Sequence, residues 1–151
     1  HSTFRNPDQC SPCHLNVVNA ADLRQIRSSE IDYDGDGDTD EPIREELLVF
    51  RQTLYPALQA YAAEVIGEPI TYRVDQFPYF FAGSEGQDVT FGDRYDSWTP
   101  RLVKAAYNYH YSWYDGGAYV HNARYVMQLL YDSAEDLSEV VDVDLQSLRR
   151  P

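Results

Sequence analysis

The segment Cys10-Ser11-Pro12-Cys13-His14 determines how the rest of the chain is interpreted. Cys10 and Cys13 are the only cysteines among 151 residues, and a histidine directly follows the second one. A structural zinc site needs four ligands, usually from two such pairs, and the sequence has no second pair. A thioredoxin-type redox pair belongs at a strand-to-helix turn, which the flanking residues do not predict. A plain disulfide stays open as an alternative, but it leaves His14 unexplained.

The interpretation that uses all three side chains is covalent attachment of a c-type haem. Two thiols add to the vinyl groups of haem, and the histidine after the second cysteine binds the iron as its proximal ligand. Both cysteines are then used, which accounts for the absence of any other thiol in the sequence. We therefore predict one covalent haem c, held by Cys10, Cys13 and His14.

Four residues could supply the second axial ligand of the iron, namely His1, His110, His121 and Met127. Met127 lies on a helical apolar stripe and is predicted as a core residue, and His1 is at the terminus. His110 belongs to a predicted apolar helix face, whose members are Val103, Ala106, Tyr107, His110, Trp113 and Tyr114. We predict that His121 or His110 completes a bis-histidine, low-potential centre; an empty sixth position would instead permit ligand binding or peroxidase-like chemistry.

An acidic loop is the second informative motif of the sequence. Asp32, Asp34 and Asp36 alternate with other residues and Gly37 follows, which matches the first half of a calcium-binding loop. Ca²⁺ takes about six to eight oxygen ligands, and alternate residues of a tight loop can direct carboxylates inward. The alternative is a solvated acidic turn, in which the carboxylates would repel one another.

The second half of this loop departs from a regular EF-hand. The glutamate that an EF-hand has at position twelve is replaced by Ile43, so Glu41 or Glu45 must take its role. The pattern therefore indicates a shorter calcium loop of the kind found in extracellular proteins. The predicted calcium ligands are Asp32, Asp34, Asp36, Asp38 and Glu41.

Composition and charge limit the partners of the protein. The formal net charge is -13, which argues against binding to nucleic acid or to an anionic membrane surface. No run of about 18 apolar residues occurs, so no membrane-spanning helix is predicted. The aromatic content of 14% includes 13 tyrosines, which suits a core packed around a flat group or a protein–protein interface, or a plain tyrosine-rich core.

The chain is predicted to be a single, mainly α domain of three or four helices with long loops that haem and calcium organise. We assign a haem-attachment arm to 1–30, the calcium loop to 31–42, a helical body to 43–137 and an acidic tail to 138–151. Apolar spacing predicts helices over about 20–27, 43–66, 100–114 and 119–136. Pro56 should kink or split the long helix, Gly67 should end it, and Thr99-Pro100 should begin the next, whereas 68–96 is predicted to be irregular.

The sequence resembles the C-terminal part of polyhaem membrane-associated c-type cytochromes, from about Cys10 to Leu137. The segments that carry the resemblance are Cys10–His14, Leu23–Ser28, Asp32–Gly37, Tyr61–Ile70, Tyr79–Phe81, Trp98–Tyr109, His121–Asn122 and Tyr125–Ser133. The resemblance implies electron transfer outside the cytoplasm, in the periplasm or at the cell surface, by covalently bound haem. It favours His121 as the distal ligand, because that position fits the family pattern, whereas glutamine is expected at position 110.

Two departures from the family matter for function. Family members carry many haem-binding motifs and this chain has one, and residues 82–90 lack most of the carboxylates that the family has in a second acidic loop. A single haem must meet a redox partner, such as another cytochrome, or the haem of a neighbouring copy, so we predict a redox partner or a homo-oligomer or polymer, such as an extracellular cytochrome filament. The alternatives are a calcium-stabilised structural subunit and a haem sensor or enzyme with an open iron site. No catalytic triad pattern or phosphate loop occurs, so no enzyme activity is predicted.

Overall fold

The computed structural model describes residues 7–120 and 122–151. Over these ranges the chain forms three long helices, which are α1 (Ile43–Ala60), α2 (Pro100–Tyr114) and α3 (Ala123–Ser138). An antiparallel hairpin of β1 (Ile70–Tyr72) and β2 (Phe80–Ala82) lies between α1 and α2 in the chain. The mainly α class that the sequence predicts is therefore confirmed, whereas the predicted distal ligand His121 lies outside the described residues, as does His1.

Helix α1 forms where the sequence places apolar residues at helical spacing. Leu47, Phe50, Leu54 and Leu58 are almost completely buried, and removing each such side chain from water contributes about 1.5–3 kcal/mol. The helix continues through Pro56 and changes to a π-helix over Tyr61–Ile66.

The π-helical segment ends at Gly67, whose φ of 87° makes it the left-handed cap that the sequence predicts. The wider π turn also explains why Val65, an apolar residue of the predicted helix 43–66, is exposed. The prediction of a helix over 43–66 is right, but the change from α to π geometry rotates the side chains of its last turn relative to the predicted buried face.

Helix α2 begins as predicted, because the Thr99 hydroxyl accepts a hydrogen bond from the Leu102 N–H at 3.2 Å and proline follows at the first helical position. The predicted buried face is wrong. The residues that α2 buries are Leu102, Ala105, Ala106, Tyr109 and Ser112. Val103, Tyr107 and Tyr114 of the predicted stripe are exposed, because α1 and α3 pack on the adjacent side of the helix.

The core lies where α1, α2 and α3 pack against one another. Met127 on α3 is fully buried in this core, which confirms its prediction as a core residue. Helix α3 begins at Ala123 rather than near residue 119, because a turn with a 2.9 Å hydrogen bond from Val120 N to the Gly117 carbonyl precedes it. None of the described helices has both the length and the apolar character needed to cross a membrane.

Short elements fill the loop-rich regions. The predicted helix over 20–27 is reduced to a 3₁₀ turn, Asp22–Gln25. The hairpin of β1 and β2 was not predicted within 68–96, because three-residue strands are too short to show a clear alternation. The segment predicted as an acidic tail packs on the body, with Leu148 buried and the Arg149 N–H donating to the Tyr33 carbonyl at 2.7 Å.

Candidate functional site

The two cysteines and the adjacent histidine lie on one helical turn that follows the 3₁₀ helix Pro7–Gln9. The N–H groups of Cys13 and His14 both donate to the Cys10 carbonyl, at 3.1 and 2.9 Å. Residues three and four positions apart project from the same face of such a turn. Cys13 and His14 therefore lie one turn of the chain away from Cys10, which is the backbone spacing that attachment of one flat group to all three side chains requires.

The segment that follows this turn is held to the next element by a carboxylate. Asp22 Oδ2 accepts hydrogen bonds from the backbone N–H groups of Val18 at 2.8 Å and Asn19 at 2.9 Å. The two hydrogen bonds lower the pKa of Asp22, so the contact is at full strength at neutral pH. The 3₁₀ turn Asp22–Gln25 is thereby fixed beside the cysteine motif.

An open cleft of about 290 Å³ lies beside His14. Its lining includes His14, Leu15, Val17, Asp22, Ile26 and Arg27. Leu15 is 87% exposed and the nearby Val18 is 81% exposed, so two large apolar side chains next to the cysteines face solvent. Leu15, Val17 and Ile26 contribute apolar atoms to the lining of the cleft, and Asp22 and Arg27 contribute charged groups.

A second cleft, of about 150 Å³, adjoins the first along the chain. Ile26 lines both clefts, and the second is bordered on its other side by Val120 and Ala123. These residues flank position 121, which the structure does not describe. Val120 and Ala123, which flank the predicted distal ligand in sequence, therefore line the same cleft as Ile26, which precedes α1.

His110 occupies a different environment. Its Nδ1 lies 2.9 Å from the Tyr72 hydroxyl, and its ring stacks on Tyr79 with centroids 4.2 Å apart. Desolvation lowers the pKa of His110, which favours the neutral imidazole. His110 does not line the cleft beside His14. The structure therefore places this candidate ligand in an aromatic cluster rather than beside the cysteine motif.

The acidic loop brings three of its predicted calcium ligands together. Carboxylate oxygens of Asp32, Asp34 and Asp36 all lie within 4.8 Å of one another. Backbone hydrogen bonds shape the loop, since the Gly35 and Gly37 N–H groups donate to the two oxygens of Asp32 at 2.6 and 2.9 Å. Asp38 is not part of this group; its Oδ1 accepts from the Asp40 N–H at 2.8 Å.

Glu41 lies close enough to this cluster to be strongly perturbed by it. Desolvation, followed by repulsion from Asp34 and Asp36, raises the pKa of Glu41 from 4.5 to about 7. Its Oε1 is buried and has no hydrogen-bond partner among the described residues. A buried, unpartnered carboxylate oxygen beside three converging carboxylates is an arrangement that a cation would stabilise.

Arg27 connects the cleft to the acidic loop. Its guanidinium donates to the carbonyls of Ile31 at 2.7 Å and Glu41 at 2.9 Å, and it forms a buried ion pair with Glu46 of α1. The other oxygen of Glu46 accepts from the Tyr33 N–H at 2.6 Å. Sequence reasoning missed Arg27 and Glu46, because neither residue type nor local spacing indicates a pairing across 19 positions.

Comparisons with known proteins provide no family assignment, because no family model, curated protein or solved structure matches the chain.

Proposed function

We propose that the protein is an electron-transfer cytochrome of an extracytoplasmic compartment, carrying one covalent haem c on Cys10, Cys13 and His14. The observation that carries this proposal is the helical turn in which Cys13 and His14 both bond to the Cys10 carbonyl. A disulfide or a free dithiol does not require a histidine directly after the second cysteine, whereas covalent haem attachment uses all three side chains. Haem would supply a one-electron redox centre at this position.

The residues around the motif have separate roles in this proposal. Cys10 and Cys13 hold the group to the chain, and His14 provides a ring nitrogen on the same face. Leu15 and Val18, which are exposed, would pack against the haem and exclude water from it. Asp22 fixes Val18 and Asn19, which follow the motif, through two backbone hydrogen bonds.

For the distal ligand we propose His121 rather than His110. Val120 and Ala123, on either side of residue 121, line a cleft that shares Ile26 with the cleft beside His14. His110 instead uses Nδ1 in a contact with Tyr72 and stacks on Tyr79. Substituting His121 by alanine should therefore convert a low-spin spectrum to high spin, whereas His110→Ala should leave it low spin.

We also propose that the loop over 31–42 binds one Ca²⁺ that stabilises the fold. Asp32, Asp34 and Asp36 supply converging oxygens, and the buried Oε1 of Glu41 supplies a fourth. These hard oxygen donors suit calcium, which accepts irregular geometry at high coordination number. The role is structural, because Arg27 joins this loop to the residues beside the cysteine motif.

A single redox group per chain requires a second redox centre on another molecule. We propose that this is another cytochrome or a neighbouring copy of the same chain, as in an extracellular filament. The open cleft beside His14 and the exposed Leu15 and Val18 support this proposal, because an accessible edge shortens the distance to a partner.

The proposal is tested by the optical spectrum of the purified protein, oxidised and then reduced, after extraction with acidic acetone. We expect the haem to stay with the polypeptide and to give sharp low-spin bands. The Cys10→Ser/Cys13→Ser variant should lose haem to the solvent, whereas Ser11→Ala, which leaves both thiols in place, should retain it. A colourless wild-type protein would leave the cysteines as a dithiol or a disulfide and would refute the proposal.

A further inference from the structure

A cleft of about 280 Å³ beside the end of α2 gathers positive charge in a strongly acidic protein. Its lining includes Arg24, Arg44, Arg51, Trp113, Asp115 and Tyr119. Three of the 12 basic residues of the chain therefore border one cleft, although the formal net charge is -13. The only carboxylate in this lining, that of Asp115, already accepts hydrogen bonds from Gly117 N at 2.9 Å and the Tyr111 hydroxyl at 3.3 Å.

Arg51 is the buried member of this group, with only 8% of its surface exposed. Its Nε donates to the Ser112 hydroxyl at 3.1 Å, and its Nη2 donates to the Ser112 carbonyl. The guanidinium carbon lies 4.2 Å from the centroid of the Trp113 ring. These contacts leave donors of the five-donor guanidinium for a further partner and hold its plane in a fixed orientation.

No carboxylate of the described residues forms an ion pair with Arg51 or Arg24, and Arg44 pairs only with its exposed neighbour Glu45 at 3.3 Å. Burial lowers the pKa of Arg51 to about 10, and repulsion from Arg44 adds to this effect. A buried cation without an opposite charge is costly, and an anion in the cleft would offset that cost.

We propose that this cleft is a binding site for a carboxylate group. A carboxylate matches the planar fork of a guanidinium, and Trp113 and Tyr119 line the same cleft as the three arginines. A singly charged group is also favoured over a multiply charged phosphate, because the strongly acidic protein repels the latter more. The proposal is independent of the cysteine motif, since it rests on arginines that do not line the cleft beside His14.

The carboxylate has two sources, a free small molecule or the carboxylate side chains of a haem bound nearby. The arginine cleft and the cleft beside His14 are both neighbours of the second cleft, since Tyr119 lines the arginine cleft and the second cleft, and Ile26 lines the second cleft and the cleft beside His14. Both sources present a carboxylate group to the arginines, and the experiment distinguishes the free small molecule from the haem.

The test is isothermal titration calorimetry of the purified protein with sodium benzoate, and with benzamide as its neutral isostere. A free-carboxylate site predicts saturable benzoate binding, no benzamide binding, and at least tenfold weaker affinity in Arg24→Gln/Arg44→Gln. The control Arg94→Gln/Arg149→Gln removes the same charge from two exposed positions and should bind like wild type. These variants leave buried Arg51 in place, so the fold is not at risk from its loss.

If the cleft is taken by haem carboxylates, benzoate does not bind, but Arg24→Gln/Arg44→Gln lowers the midpoint potential of the haem relative to the control variant. Absence of both effects overturns the proposal, and so does equal binding of benzoate and benzamide. If the protein carries no haem, benzoate binding alone tests the carboxylate site. Failure of the proposed electron-transfer function is therefore distinguishable from failure of the carboxylate site.

Discussion

Arg27 and Glu46 form an ion pair in which the two side chains are 8% and 0% exposed, and this pair joins three parts of the protein. Arg27 lines the cleft beside His14 and also donates to the carbonyls of Ile31 and Glu41 at the two ends of the acidic loop. Glu46 belongs to α1. The segment that carries the cysteine motif, the acidic loop and the helical core are therefore held together at one buried point.

Removing one partner of this pair should strongly destabilise the fold. Glu46→Gln leaves the guanidinium of Arg27 buried without its opposite charge, and we expect a loss of about 3–5 kcal/mol in the free energy of unfolding. Urea denaturation followed by circular dichroism measures the change. The double variant Arg27→Met/Glu46→Gln should recover part of the loss, because no charge is then left uncompensated.

The exposed pair Arg44–Glu45, at 3.3 Å with both side chains above 40% exposed, is the matched control. Glu45→Gln should change the free energy of unfolding by less than about 1 kcal/mol, because water screens such a pair. If Glu45→Gln and Glu46→Gln were equally mild, the buried pair would not be the connection described above.

Calcium should raise the thermal stability through the acidic loop. At a concentration of about 100 times its dissociation constant, a ligand of the native state adds about 2.7 kcal/mol, or roughly 5–10 °C in a chain of this length. Differential scanning calorimetry with excess Ca²⁺ and with chelator measures the shift. Asp34→Asn should abolish it and the exposed Asp88→Asn should not; an unchanged melting temperature of the wild type on chelation would disprove the calcium site.

The stability of the calcium-free protein should fall as pH rises from about 4.5 to 7. Glu41 has a pKa raised from 4.5 to about 7, so in this window the native state binds more protons than the unfolded state, and deprotonation favours unfolding. Excess Ca²⁺ should remove this decline, since the cation replaces the proton. Glu41→Gln should flatten the calcium-free profile measured by urea denaturation, whereas Glu64→Gln, at an exposed position, should preserve it; parallel profiles for wild type and Glu41→Gln would contradict the assignment.

Two glycines of the acidic loop should differ in their tolerance of alanine. Both have positive φ, 77° at Gly35 and 92° at Gly37, which disfavours a side chain by about 1–2 kcal/mol. A Cβ at Gly35 would lie 2.0 Å from the Ser147 carbonyl oxygen, whereas one at Gly37 meets nothing within 4 Å. Gly35→Ala should therefore lower the free energy of unfolding by clearly more than Gly37→Ala; equal losses would show that 138–151 does not pack on the loop.

The helices could be predicted from the sequence because each depends on local signals. The Thr99-Pro100 start of α2 and the Gly67 end of the π-helical segment are encoded within a few residues. The face that α2 buries was not predictable, because tyrosine and tryptophan occur on both sides of that helix and tertiary packing decides between them. The hairpin was missed because its strands have three residues each.

The candidate sites also divide into those that local sequence indicates and those that only tertiary packing creates. The cysteine motif and the aspartates of the loop are contiguous in sequence, so spacing alone indicated them. Arg51 and Ser112 are 61 positions apart, and the arginine cleft exists only because α1 and α2 are packed together. Sites assembled from distant segments have no period or spacing that a single sequence could reveal.

The intact mass of the protein, measured under denaturing and reducing conditions, tests the central claim most directly. The account predicts a polypeptide heavier than its sequence by one haem in wild type and in Ser11→Ala. The Cys10→Ser/Cys13→Ser variant should have the mass of the bare chain. A wild-type polypeptide expressed with the c-type haem attachment system and found at the mass of its sequence alone would contradict the account.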